Sequence, residues 1–148
     1  MAEPFIPEGY ATVTPYLMTT DSEAVIEFAK QVLDAGERMR MPGPGGKIGH
    51  AELLIGDSVV MLADETPEGA MPGMLHVYVA DCDATYTRAL EAGGTSLMEP
   101  ADQVYGERMA GVQDPSGNKW YFATHLEDMS QAEMVRRVED LVAGAESG

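Results

Sequence analysis

From Lys47 to Leu62 the chain reads KIGHAELLIGDSVVML, two apolar runs on either side of Gly56-Asp57. Side chains of a strand alternate between two faces, and two such runs joined by a glycine-containing two-residue break predict a β-hairpin. A two-residue turn fixes the register, placing Ile55 opposite Ser58, Leu53 opposite Val60 and Ala51 opposite Leu62. His50, Glu52, Leu54, Val59, Met61 and Ala63 then share the other face, so a histidine and a glutamate stand beside a methionine.

The same pattern reading extends along the chain. Val13 to Leu17 is predicted as a strand, and TTDSEAVIEFAKQVLDAG as a helix opened by Thr20, with Glu23 completing a capping box and Gly36 stopping it. ERMRM is extended, PGPGGK is a loop, and the hairpin follows. The second half repeats the order. Leu75 to Val79 is a strand, Asp81 to Gly94 a helix, and TSLME, RMAGVQ and KWYFATH are strands. Asp21 and Asp81 precede the two helices 60 residues apart, the mark of an internal duplication. The expected fold is therefore α+β. Two βαβββ modules, at about 10–66 and 72–128, form one domain spanning 10–128 with a curved, mostly antiparallel eight-stranded sheet around a cleft. A tail at 1–9 precedes them; a C-terminal helix at 129–143 and a tail at 144–148 follow. In that helix Ser130 and Glu133 form the expected capping box, and Met134, Val135, Val138, Leu141 and Val142 make an apolar stripe that must be covered within this chain or by a second one.

Assigning the more apolar set of each strand to the helix-covered side puts Val13, Pro15, Leu17, Leu75, Val77, Val79, Trp120 and Phe122 in the core. Thr12, Thr14, Tyr16, Met74, His76, Tyr78, Tyr121, Ala123 and His125 oppose them. All three histidines fall on the face away from the helices, beside tyrosines and methionines. A solvated face would carry Lys, Glu and Thr, whereas rings, sulfur and a few polar groups suit a half-dry pocket. A dimer or packing interface would use the same residues.

Composition narrows the partners. Nine basic against 25 acidic residues give a formal charge of −16, which disfavours nucleic acid and anionic membranes and favours a positively charged small molecule over an anionic one. No apolar run approaches the roughly 20 residues of a membrane span. Cys82 has no partner cysteine and MAEPFIPEGY has no signal-peptide pattern, so a cytoplasmic address is expected.

VTPYL before the first helix, GHAELLIGDSVVMLAD, YGERMAGVQDPSGNKWYFATHLED and the following Ser-Gln-Ala-Glu-Met helix together resemble the vicinal-oxygen-chelate superfamily (glyoxalase, bleomycin resistance protein and extradiol dioxygenase), and within it the PhnB-like branch. The resemblance runs from Tyr10 to about Arg137. It implies modules wrapped around a cleft, often completed across a homodimer, and in metal-dependent members a divalent ion held by His or Glu near four strand centres. Here those positions are read as Thr14, Met61, Met74 and Tyr121, thioethers and neutral hydroxyls that are poor ligands for such an ion. His76 lies two places from Met74 on the same face. The superfamily also contains metal-free proteins that sequester antibiotics by stacking and acidic charge, and VYGERM resembles the aromatic-glycine turn those binders place beside the drug.

The expected ligand-binding residues are Tyr16, His50, Glu52, Met61, Met74, His76, Tyr78, Tyr105, Tyr121 and His125, with no metal and no cofactor. The leading expectation is a homodimer that binds a partly aromatic, cationic small molecule such as an antibiotic. An enzyme would need a displaced metal or acid–base chemistry at His50, Glu52 and His76. A structural or regulatory dimer with a vestigial cleft is the third reading. Phosphate-loop, dinucleotide, G-x-S-x-G, C-x-x-C and H-E-x-x-H patterns are absent. Cys82, beside Asp81 and Asp83, is a poor nucleophile.

Overall fold

The computed structural model describes residues 2–147. The first module consists of β1 (Tyr16–Thr19), α1 (Ser22–Leu33), β2 (Gly36–Pro42), β3 (Ile48–Ile55) and β4 (Ser58–Asp64). The second consists of β5 (Met74–Tyr78), α2 (Cys82–Glu91), β6 (Thr95–Asp102), β7 (Glu107–Gln113) and β8 (Lys119–His125), and α3 (Gln131–Ser147) follows. The class is α+β. The eight strands are shared between two four-stranded sheets, ordered β1-β4-β3-β2 and β5-β8-β7-β6. In each, the outer β1 or β5 runs parallel to its neighbour and the other two pairs are antiparallel. The hairpin has the expected register, Ile55 to Ser58, Leu53 to Val60 and Ala51 to Leu62. Gly56 at φ 58° supplies the positive φ that the first central residue of a II′ turn needs.

Several element ends differ from the sequence reading. β1 starts at Tyr16 rather than Val13, because Pro15 has no N–H to donate and enters the ladder only through its carbonyl, which accepts from Met61 N at 2.9 Å. Val13, expected in the core, is 81% exposed. Asp21, not Thr20, caps α1 by accepting from Ala24 N, and Asp81 caps α2 through Ala84 N. A carboxylate adds charge complementarity to the helix N-terminus that a hydroxyl lacks. Glu23 instead pairs with Arg40. α1 is closed by Asp34 in the left-handed region (φ 55°) rather than by Gly36, whereas glycine fills the corresponding turn after α2, at Gly93 (φ 94°). β5 lies one residue earlier than expected. β6 continues through Pro100 to Asp102, which its position at the sheet edge permits. α3 runs past Ala143 to Ser147, since one glycine, Gly144, costs only about 1 kcal/mol in a helix of otherwise favourable residues. Its cap is half a box: Ser130 Oγ accepts from Glu133 N, but the Glu133 carboxylate turns to Arg136 and Arg137, which hold it down to about pKa 2. The expected tails end at Met1 and Gly148, which lie outside the described residues.

The core lies between the helices and the helix-facing sides of both sheets. Val25, Ile26, Phe28 and Val32 of α1 meet Ala51, Leu53 and Leu62 of the first sheet, and Trp120, Phe122 and Val112 complete the cluster from the second. Phe28 and Trp120 rings are 6.0 Å apart. The modules are further joined by Arg88, which donates to the Val32 carbonyl, and by Ser116, whose hydroxyl donates to the Asp21 carbonyl. The DPSGNKW turn is built around buried Asp114, which accepts from Ser116 N, Asn118 N, Asn118 Nδ2 and Trp120 Nε1. With both helices on one side, the opposite face of each sheet is left for other work.

Candidate functional site

On the first sheet's outer face, β3 brings His50 and Glu52 to one side of the strand, as the i, i+2 spacing requires. Glu52 lies between Met61 of β4 and Met39 of β2 in the ladder, and Met61 lies opposite Tyr16. Glu52 is 3% exposed, so its carboxylate needs partners. Tyr10 Oη donates to Oε1, and His50 Nε2 lies 2.8 Å from Oε2. The second ring nitrogen, Nδ1, lies 2.9 Å from Tyr16 Oη. With Glu52 ionised, Nε2 is the donor, which leaves Nδ1 of a neutral ring to accept the Tyr16 hydroxyl. Burial pushes the Glu52 carboxyl up. The hydrogen bonds of Tyr10 and His50, with the charge of Arg38, outweigh it and hold the group below its ordinary value. The same bond to Glu52, aided by burial and the negative charge, raises the Tyr10 phenol.

Tyr10 belongs to the N-terminal segment that crosses this face. Phe5, Ile6, Pro7, Tyr10, Thr12, Thr14 and Met61 line a pocket of about 550 Å³ beneath it. The ring of Tyr10 also carries the Arg38 guanidinium, 4.8 Å from its centroid.

The second sheet holds a separate group. Tyr78 Oη donates to Glu107 Oε1 at 2.8 Å, and His76 Nε2 lies 3.5 Å from Glu107 Oε2. The His76 and Tyr78 rings meet edge to face at 5.0 Å. The bond to Glu107 raises the Tyr78 phenol. Tyr121 is the ladder partner of His76 and lies against Gly111, where any Cβ would come within 2.7 Å of its ring. Tyr105, held up by burial, donates to Met109 Sδ. Met74 is exposed and engages neither His76 nor Tyr121 in these bonds. His125 is turned to Asp128 at 2.8 Å, at the end of β8. A cavity of about 400 Å³ runs along the free edge of β5, between His76, Tyr78 and the apolar Leu33, Ile55, Val60 and Leu75.

Of the ten residues read from the sequence, the structure thus gathers Tyr16, His50, Glu52 and Met61 on one sheet, and His76, Tyr78 and Tyr121 on the other. Tyr10, Arg38 and Glu107 were missed. Glu107 was legible, because β7 alternation puts it on the face of Met109 and Gly111; Tyr10 stands outside any strand and carried no such signal. Cys82 is buried against the Phe122 carbonyl, and its thiol is pushed up by burial and Asp83.

The ladder shows where the four residues read as strand-centre positions lie. Thr14 precedes β1, and the residue opposite Met61 is Tyr16; the residue opposite Tyr121 is His76, not Met74. Two phenols, a thioether and one imidazole do not make a divalent-ion site. Among the described residues no three His, Cys, Asp or Glu side chains gather to hold a metal ion. His76 lies on a different sheet from His50 and Glu52.

Residues 10–122 match the family model described as "Glyoxalase/Bleomycin resistance protein/Dioxygenase superfamily". The chain belongs to this superfamily. Its relatives include the uncharacterized protein Rv0887c of Mycobacterium tuberculosis, 34% identical over 134 residues that cover 82% of this chain and 79% of that one. Among solved structures, TioX from Micromonospora sp. ML1 is 26% identical with a TM-score of 0.65, covering 78% of this chain and 99% of TioX. A PhnB protein from Bacillus cereus has a TM-score of 0.62 at 15% identity, covering 77% and 99%, which speaks to the fold alone. The superfamily fold accounts for the paired βαβββ units, and leaves the residues on the outer sheet faces to carry the chemistry particular to this chain. Among the described residues no helix is long and apolar enough to cross a membrane.

Proposed function

We propose that this chain is a metal-independent small-molecule-binding protein of the PhnB-like branch, acting in the cytoplasm to sequester a partly aromatic compound such as an antibiotic. The ligand rests on the face that presents Tyr16, His50 and Met61 around buried Glu52. The observation that carries this reading is the Glu52 carboxylate itself, deeply buried on the side of the sheet away from the core. An unpaired carboxylate there would cost several kcal/mol. Tyr10 and His50 satisfy it, and so fix a phenol, an imidazole and a second phenol in one hydrogen-bonded row, of which Tyr10 also lines the adjacent pocket with Met61. Preorganised polar groups in an apolar setting are what ligand orientation requires. Two copies complete the cleft, since Tyr16 is 47% and Tyr78 65% exposed in one chain.

The test is a calorimetric screen of planar aromatic drugs and metabolites, repeated on Glu52→Gln and Met61→Ala. Binding at micromolar or better affinity that either variant weakens at least about tenfold supports the reading. Indifference to the whole panel returns the cleft to a vestigial role.

A second reading has its own observation. Glu52, His50 and Tyr16 stand in line, carboxylate to imidazole to hydroxyl, the order in which a proton can be handed to or from a bound substrate. Turnover of a carbonyl compound that is lost in both His50→Gln and Tyr16→Phe, with binding retained, would favour an acid–base enzyme over a binding protein.

A further inference from the structure

The internal duplication supplies a control within the chain. Tyr16 opposite Met61 corresponds to His76 opposite Tyr121, each residue 60 positions from its counterpart. Met39 opposite Glu52 corresponds to Met98 opposite Gly111. Just before each of those methionines the ladder skips one residue, Arg38 in β2 and Leu97 in β6. A bulge of this kind re-aims a side chain and is a feature of the fold. Its charge is not, because the second module builds the same bulge with leucine.

Both bulge residues reach the outer face. Leu97 lies over Gly111, where an added Cβ would be 3.4 Å from its own Cβ. Arg38 lies over Tyr10, the partner of Glu52. One module therefore carries an arginine and a glutamate where the other carries a leucine and a glycine. Arg40, Arg108, Arg136 and Arg137 each close an ion pair, and Arg88 donates to Val32 O and Thr85 Oγ1. Among the described residues Arg38 alone of the arginines has neither hydrogen bond nor ion pair. A guanidinium held by a ring, with its planar fork of donors unused, is suited to a carboxylate.

We propose that Arg38 sets the specificity of this face by receiving a carboxylate group of the ligand. The inference rests on the reading that the face binds a small molecule, and it reverses the charge that net acidity suggests for that molecule. The −16 formal charge is spread over the whole chain and screened beyond about 8 Å at physiological salt, whereas Arg38 stands against Tyr10, which lines the pocket. A cation does not reach Glu52 from solvent, because the residue is 3% exposed beneath its partners Tyr10 and His50.

Benzoate, benzamide and benzamidine have nearly the same shape and differ in charge, so calorimetric titration of the whole chain with each tests the assignment. Benzoate binds the tightest of the three, by about tenfold, and Arg38→Gln and Arg38→Leu abolish that preference while leaving benzamide affinity within about twofold. Arg38 is exposed, so neither variant disturbs the core; matching thermal melts verify it. If benzamide or benzamidine binds as well as benzoate, or the preference survives both variants, the role of Arg38 is refuted while the binding face stands. If none of the three binds up to about 10 mM, the role of Arg38 is likewise refuted, and the drug panel decides the binding face.

Discussion

Among the described residues two carboxylates are almost fully buried, Glu52 and Asp114, and their partners separate their roles. Asp114 takes all its donors from within six residues, two backbone amides, the Asn118 amide and the Trp120 indole, so it is the keystone of a turn. Asp114→Ala would leave those donors without their acceptor and costs about 3 kcal/mol or more, read as a lower urea midpoint at unchanged slope. Glu52 draws one partner from 42 residues away, in a segment with no strand or helix of its own. Glu52→Gln removes the charge and one acceptor oxygen, and costs about 1–3 kcal/mol. Its pH dependence has a definite sign. The folded carboxyl lies below its ordinary value of 4.5, so the stabilisation is complete above that pH and is lost as pH falls through the lower folded value. The stability gap between the native chain and Glu52→Gln therefore stays constant from pH 7 to 5 and closes only below about 4.5 in urea titrations. Residue-level chemistry was legible where a strand carried it. His50 and Glu52 on one face follow from alternation, but the Tyr10 contact depends on how an irregular segment crosses the sheet.

At the level of elements, period-two patterning fixed the hairpin pairing because one face of β3 and β4 buries Ala51, Leu53, Val60 and Leu62, and a slip by one residue would turn them outward. Element ends were less legible, since adjacent residues compete for the same cap. Thr20 and Asp21 both suit a helix N-terminus, and only the backbone decides which side chain reaches Ala24 N. Asp21→Ala and Asp81→Ala should each cost about 1 kcal/mol, and Thr20→Ala should fall within a few tenths of zero. Thermal melts of the three variants check the assignment. A larger loss in Thr20→Ala than in Asp21→Ala would return the cap to Thr20. The bulges at Arg38 and Leu97 were invisible to alternation, which assumes an unbroken ladder; aligning the two repeats after the fold is known exposes them.

For the molecule as a whole, the duplication and the superfamily were readable, whereas the division of eight strands into two sheets was not, because pattern fixes neighbours within a module and is silent on how modules meet. That division leaves β5 with an open edge, β1 bridged on its outer side at Met18 by Met71, and α3 with an open stripe. Val135, Val138, Leu141 and Val142 are 43–60% exposed, and α3 is tied to the body mainly through Arg137, which reaches Glu127 and the Val104 carbonyl. A 17-residue amphipathic helix is marginal in water unless its apolar face is covered. The dimer proposed above would cover the open stripe, the β5 edge and the exposed rings of the cleft face. Light scattering during size-exclusion chromatography should accordingly give a mass near 32 kDa, twice the 15.9 kDa of one chain. Charge placed in the stripe should undo it. Val138→Glu with Leu141→Glu is expected to shift the mass to that of a single chain and to weaken ligand binding in parallel, because the cleft is then open on one side. A native chain that stays monomeric at about 100 µM, or a charged variant that stays dimeric, would leave the stripe without this role and the cleft complete within one chain.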